Sequence, residues 1–228
     1  MNRTTIVSAL VTGSALLGAS YFYFRNDARL SRQRALASNI IPIITPVIDL
    51  RVAEDVMEAL ERVPGDEVTV VLHTLGGCVT SCVMICNALR AFPRSTAIVP
   101  YMATSGGTLI ALNATHLQMG RSAALSAVDP IVHGQRAKHL PEEPKDPLQA
   151  LAHEYQTAIT NYLRDTLLAR LPGIDEETLW TTVEVFLGEH APHEWPIRRD
   201  EVAALGLPVS PAARMWGEMV DAYRKRWW

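Results

Sequence analysis

Cysteine is scarce in this chain, and its placement says what the thiols are not for: of 228 residues, only Cys78, Cys82 and Cys86 are cysteines. They recur at a spacing of four on a helix predicted over 78–91, which is no disulfide framework, and no further thiol is present to complete a four-coordinate metal site. They read as small apolar residues packing a helix against a sheet, so no metal and no cofactor is expected. An excess of one charge is missing too, with 21 basic against 24 acidic residues and a pI near 6.2. A broad basic surface for a polyanion is thereby excluded, and nucleic acid is not an expected partner. Charge is absent from residues 4–24, a stretch of about the length a helix needs to cross a bilayer.

What is present divides the chain in three. Residues 1–24 are read as an N-terminal membrane anchor, closed by the aromatic edge Tyr21-Phe22-Tyr23-Phe24, although Gly18-Ala19-Ser20 also has the small-residue character of a signal-peptidase site. Residues 25–38 are a basic linker carrying Arg25, Arg29, Arg32 and Arg34, against Arg3 alone on the other flank. That asymmetry predicts a single-pass membrane protein whose domain lies on the cytoplasmic side. Residues 39–228 hold enough of the chain's 48% apolar content for one sizeable core.

Within that domain the run Ile40, Ile41, Ile43, Ile44, broken by Pro42 and Pro46, predicts an edge strand. A helix is predicted over 51–63, stopped by Pro64-Gly65. Val68 to Leu72 and Thr96 to Pro100 read as strands buried on both faces, each leading into a helix. The alternation predicts an α/β fold with a parallel sheet and βαβ crossovers. The proline-rich stretch from Pro130 to Pro147 reads as a loop, and helical periodicity over 148–171, 176–187 and 211–226 predicts a C-terminal helical layer.

Chemistry concentrates in two glycine pairs. Ser105 precedes Gly106-Gly107 between a strand and a helix, and Gly76-Gly77 ends the previous buried strand. A serine before two glycines is, taken alone, an ordinary helix N-cap. Two such turns at one edge of a parallel sheet are a different matter. They predict that the N–H groups of Gly77 and Gly106 point at one carbonyl oxygen beside the Ser105 hydroxyl, the arrangement that stabilises a tetrahedral oxyanion.

These residues resemble the ClpP-like serine peptidases, and most closely the signal peptide peptidase A group and its serine dehydrogenase proteinase branch. His73-Thr74-Leu75-Gly76-Gly77 is similar to that branch's His-Thr-Pro-Gly-Gly, and Ser105 to Leu112 reproduces its Ser-Gly-Gly-Thr-Leu-Ile-Ala-Leu. Ser126-Ala127-Val128-Asp129-Pro130-Ile131 resembles Gly-Pro-Val-Asp-Pro-Gln, Pro192 to Ile197 resembles Thr-His-Asp-Tyr-Pro-Ile, and Leu205-Gly206-Leu207-Pro208-Val209 repeats the closing motif. Leu75 and Ile131 depart from the pattern, and the segment 134–147 has no clear counterpart. The resemblance implies a ClpP/crotonase-like domain, Ser105 as nucleophile, Gly76, Gly77 and Gly106 around an oxyanion hole, a peptide or membrane-protein substrate, and assembly into a homo-oligomer.

The general base is the open position. Lys145 follows Ser105 at an interval similar to that in membrane-bound Ser-Lys peptidases, and Lys138 is the alternative lysine. A lysine serves only where burial or cationic neighbours weaken its hold on the proton, whereas Lys145 is followed by Asp146. His133 is a third candidate, since ClpP itself presents a histidine from this region. His73 and His193 read as structural residues of a strand end and a packed turn. The expected activity is that of a membrane-anchored Ser-Lys type hydrolase. The rivals are an inactive membrane-bound scaffold of the same fold and a crotonase-type acyl-CoA enzyme.

Overall fold

The computed structural model describes residues 39–132, 134–141 and 143–227. The anchor and linker read from the sequence, together with His133, lie outside them. Among the described residues no helix is long and apolar enough to cross a membrane.

Five strands form the main sheet: β1 (Ile40–Ile44), β2 (Glu67–His73), β3 (Arg94–Val99), β5 (His116–Met119) and β10 (Val209–Pro211), in the order β1-β2-β3-β5-β10. Every pairing is parallel, as the alternating elements predicted. Pro42, which has no N–H for a ladder, is tolerated because β1 lies at the edge. Helices α1 (Leu50–Glu61), α2 (Val79–Arg90) and α3 (Gly106–Asn113) connect the strands. Asp49 starts α1 by accepting the Val52 N–H at 2.9 Å, a cap worth about 1 kcal/mol.

The two-residue period of the strands assigns their faces. Ile41, Ile43, Val70, Leu72, Ala97 and Val99 pack into the larger core under α1 to α3, which also receives α4 (Pro147–Arg170) and α5 (Glu176–Leu187). Ile40, Val71 and Ile98 point the other way, into a smaller core closed by Met219, Val220 and Tyr223 of α7 (Arg214–Trp227). Trp216 packs there as well, so Trp216 and Tyr223 serve their own domain's core.

Three sequence expectations are corrected. The segment after β3 does not run straight to Ser105, because the chain bends and forms β4 (Met102–Ala103), which belongs to a second sheet with β6 (Ala124–Leu125) and β9 (Ile197–Arg198). The stretch after Pro130 is not all loop: β7 (Ile131–Val132) and β8 (Gln135–Arg136) make a hairpin, followed by a short 3-10 turn over Ala137–His139. The C-terminal third is not purely helical, since β9 and β10 join the two sheets on either side of α6 (Arg199–Ala204). These strands have two or three residues, too few for an alternation pattern to register in sequence.

Candidate active site

The two glycine turns meet. β2 pairs with β3 up to Val71, and beyond that its continuation bridges to β4 through Thr74 and Ala103. The Thr104 N–H donates to the Thr74 carbonyl at 3.0 Å, and the Gly76 N–H to Thr74 Oγ1 at 3.1 Å. Gly76 has φ +92°, and a Cβ there would come within 2.7 Å of the Gly106 nitrogen and the Thr104 oxygen and 2.8 Å of the Ser105 Cβ. Gly106 is required by a second close approach, since its Cβ would overlap Cys82 Sγ. The Gly77 nitrogen lies 3.6 Å from that same Cβ position. The bends of residues 76–77 and 105–106 therefore bound one small volume.

Ser105 is held in an unusual backbone state. Its φ of 53° and ψ of −121° make it the one non-glycine residue with positive φ among those described. Such strain costs about 1–3 kcal/mol and persists only where surrounding structure enforces it. A sharp strand-to-helix turn of this kind displays a nucleophile's hydroxyl at the top of a sheet. The ordinary N-cap reading is set aside, because the Ser105 side chain makes no capping hydrogen bond. What enforces the turn is a set of buried hydroxyls. The Ser105 N–H donates to Ser126 Oγ at 2.9 Å, the Ser126 N–H to Thr108 Oγ1 at 3.0 Å, and Thr108 Oγ1 to the Ala103 carbonyl at 2.8 Å.

Ser105 opens onto a cleft of about 460 Å3 whose walls include Leu75, Gly77, Cys78, Cys82, Gly106 and Ile159. Asp129 and His193 line the same cleft. His193 Nδ1 lies 2.8 Å from Asp129 Oδ1, and Arg136 Nε donates to Asp129 Oδ2 at 2.5 Å. Burial by itself would raise the proton affinity of Asp129. The hydrogen bonds and charges of His193 and Arg136 overcome it and hold the carboxyl below its ordinary range. Asp129 is thus an anion with both oxygens engaged.

The candidate bases fall elsewhere. Lys145 is exposed in the turn before α4, and its N–H donates to Gln149 Oε1 at 2.8 Å; it does not line the cleft. Its neighbours Asp146 and Pro147 start α4, with Asp146 accepting from the Leu148 and Gln149 N–H groups. Lys138 Nζ donates to the Gly188 carbonyl at 2.5 Å and lies 3.3 Å from Glu189 Oε2, again outside the cleft lining. His133 lies outside the described residues. His73 is buried edge-on against Tyr101 at 5.9 Å, and burial with the nearby Arg224 lowers its proton affinity although Asp221 opposes this; it does not face the cleft.

His193 is the residue that sequence reasoning left out of the site: as expected it is buried in a packed turn, and it also lines the cleft. Asp129 was weighed only as a partner for His133. The available signal was the pair of motifs around Asp129 and His193, both quoted in the resemblance but separated by 64 residues. Among the cysteines, Cys82 and Cys86 are buried and burial raises their thiols, Cys82 to about 12. Cys78 is exposed on the cleft wall, where the Ser81 and Thr80 amides at the start of α2 lower its thiol.

Comparison with known proteins agrees with this architecture. Residues 25–224 match the family described as ClpP-like SDH-type serine proteinase. Uncharacterized protein MJ0137 of Methanocaldococcus jannaschii is 31% identical over 202 residues, covering 79% of this chain and 66% of that protein. Uncharacterized protein MJ1495 of the same organism is 35% identical over 105 residues, covering 45% and 36%. The chain thus spans just under two thirds of the first relative and about a third of the second. Among solved structures, a mutant ClpP1 from Listeria monocytogenes superposes with a TM-score of 0.57 at 14% identity, over 82% of this chain and 98% of that one. A serine-to-alanine mutant of the 1510-N membrane-bound stomatin-specific protease gives a TM-score of 0.54 at 15% identity, over 78% and 79%. At such identities the superpositions speak for the fold, and the match over residues 25–224 speaks for descent: the chain belongs to the ClpP-like SDH-type serine proteinase family.

Proposed function

We propose that this protein is a serine peptidase in which Ser105 attacks a peptide carbonyl, His193 accepts the serine proton, and Asp129 orients the imidazole. The observation that carries the reading is the buried Asp129–His193 pair, 2.8 Å apart, on the wall of the cleft that Ser105 opens onto. With Asp129 anionic, Nδ1 of His193 carries the proton and donates it to the carboxylate, which leaves Nε2 as the acceptor. Its hydrogen bond with the Ser105 hydroxyl forms or tightens when substrate fills the cleft. Histidine is favoured over Lys145 because the lysine is exposed and does not line the cleft.

The developing oxyanion is received by the N–H groups of Gly77 and Gly106. Gly106 is the first residue of α3, so its N–H has no acceptor within the helix. In the acylation step the Ser105 oxygen bonds to the carbonyl carbon, the proton passes to His193 and then to the leaving amine, and the C–N bond breaks. Water repeats the sequence to release the acid. Residues 4–24 anchor the protein in a single pass with the domain on the cytoplasmic side. Peptides or membrane proteins near that surface are its substrates, and copies of the chain associate with one another.

The test is labelling of the full chain with a fluorophosphonate at neutral pH. Phosphonylation of Ser105, lost in Ser105→Ala and strongly slowed in His193→Ala, is the expected result. An unreactive wild-type serine overturns the peptidase reading and leaves a scaffold of this fold. Labelling that survives His193→Ala but is lost in Lys145→Ala returns the base to the lysine.

A further inference from the structure

Arg136 bonds both Asp129 and the backbone of the segment that leads to His193. It lies on β8, seven residues beyond Asp129, and its side chain is only 13% exposed. Nε bonds Asp129 Oδ2, the oxygen that His193 does not use. Nη1 donates to the Ala191 carbonyl at 2.6 Å, and Nη2 to the carbonyls of Leu187 and Gly188 at 3.0 and 2.9 Å. Leu187 ends α5, Gly188 caps it in the left-handed conformation, and Ala191 stands two residues before His193. One guanidinium thus ties the carboxylate to the chain segment that delivers the imidazole.

The residue type matters. Carbonyls at a helix C-terminus are short of donors, and a cation there also meets the negative end of the helix dipole. Lys138 adds a second cation, with its Nζ on the Gly188 carbonyl. A lysine in place of Arg136 would keep the charge but has no planar fork to serve Asp129 and three carbonyls at once. Even the cap is shaped around the guanidinium: a Cβ on Gly188 would come within 2.6 Å of Arg136 Nη2 and 2.7 Å of the Ala127 Cβ.

We infer that Arg136 is a positioning residue: it locks the Asp129 loop and the 188–193 segment into one unit, so that His193 meets Ser105 in a single orientation. The inference rests on the Ser105, His193 and Asp129 reading above. It goes further in assigning the geometry of the base to a residue that does not line the cleft.

The experiment compares Arg136→Met, Arg136→Lys and Lys138→Met with wild type in the full chain. One readout is the concentration dependence of fluorophosphonate labelling, and the other is the proton NMR signal of the His193 Nδ1–H, assigned by its loss in His193→Ala. Misplacing a reacting group by about 1 Å costs on the order of 100-fold. Arg136→Met is therefore expected to lower the maximal labelling rate by about 100-fold, with half-saturation changed less than about 2-fold, and to broaden or shift the Nδ1–H signal. Arg136→Lys is expected to recover part of the rate, and Lys138→Met to leave the Nδ1–H signal in place. A folded Arg136→Met protein with wild-type rate and signal overturns the inference. So does a rate loss that matches its unfolded fraction by circular dichroism. If that variant does not fold, Arg136→Lys decides, and a wild-type rate and signal in it overturn the inference. An unreactive wild-type Ser105 sinks the peptidase reading, while the Nδ1–H signal still reports whether Arg136 fixes His193.

Discussion

The two walls of the cleft are built in contrasting ways. The nucleophile wall comes from two consecutive strand-to-helix turns, each marked by a glycine pair, and its key contacts lie within residues 74–126. The wall proposed to supply the acid–base pair is formed by a loop at Asp129 and a turn at His193, joined through Arg136 of the β7–β8 hairpin, with side chains reaching across up to 64 residues. The first wall depends on backbone conformation, which restricts residue type at each position. The second depends on where separate loops happen to be brought, which no local rule encodes. A site half specified by turns and half by long-range ion pairs should respond to mutation in two distinguishable ways.

The sharpest break of the comparison is on the acid–base wall. His193→Ala is expected to reduce turnover of a peptide substrate by about 10^4-fold or more, as loss of a triad base does, while thermal unfolding stays near wild type. Wild-type turnover in that variant would remove the wall from the chemistry altogether. Asp129→Ala is expected to cost stability as well as activity, because it strands the Arg136 guanidinium in a buried site. Losing one partner of such a pair costs about 3–5 kcal/mol, measurable by urea unfolding. Stability unchanged in Asp129→Ala would mean that the ion pair organises nothing.

On the nucleophile wall the response is one of backbone. Gly76→Ala introduces a side chain at φ +92° with a Cβ 2.7 Å from two backbone atoms of the serine turn. The expected loss is roughly 1–3 kcal/mol, with Ser105 labelling impaired in the protein that remains folded. Labelling at the wild-type rate would show that the two turns do not share the site.

Acid offers a milder test. Asp129 has a depressed folded-state proton affinity, so its stabilising contribution is complete above the unfolded carboxyl value of 3.8 and is lost as pH falls through its lower folded value. The stability gap between wild type and Asp129→Asn is therefore expected to be constant near neutral pH and to close in strong acid. A gap that closes above the ordinary carboxylate range would contradict this. The smallest effect is reserved for Lys145→Ala, which should stay within about 2-fold of wild-type turnover, because Lys145 is exposed and only precedes the cap of α4.

Legibility followed the same division. Ser105 and the glycines were readable because a strained turn and two close approaches demand particular residues at particular places; β1, β2 and β3 announced themselves as β-branched or continuous apolar runs, and the long helices by period. The Asp129–His193 pair was not. Lys145 drew attention through its interval from Ser105, but interval does not measure distance across a folded chain. His193 looked like a packed turn residue because burial and catalysis both surround a histidine with apolar neighbours such as Pro192 and Trp195. Strands β4, β6 and β9 escaped for want of length, although they place Ser105 and bring the His193 turn beside the Asp129 loop.

By itself the sequence determined the parallel sheet, the position of the serine turn and the need for glycine beside it, since these follow from residue type and short-range sterics. Tertiary structure alone decided which titratable side chains line the cleft with Ser105. Asp129, Arg136 and His193 carry complementary charge and hydrogen-bonding capacity wherever they stand in the chain. The pairing of β9 with β6, and the bond from the Val128 N–H to the Phe186 carbonyl of α5, accompany an arrangement in which Arg136 and His193 both come within about 3 Å of Asp129, the range at which those properties act.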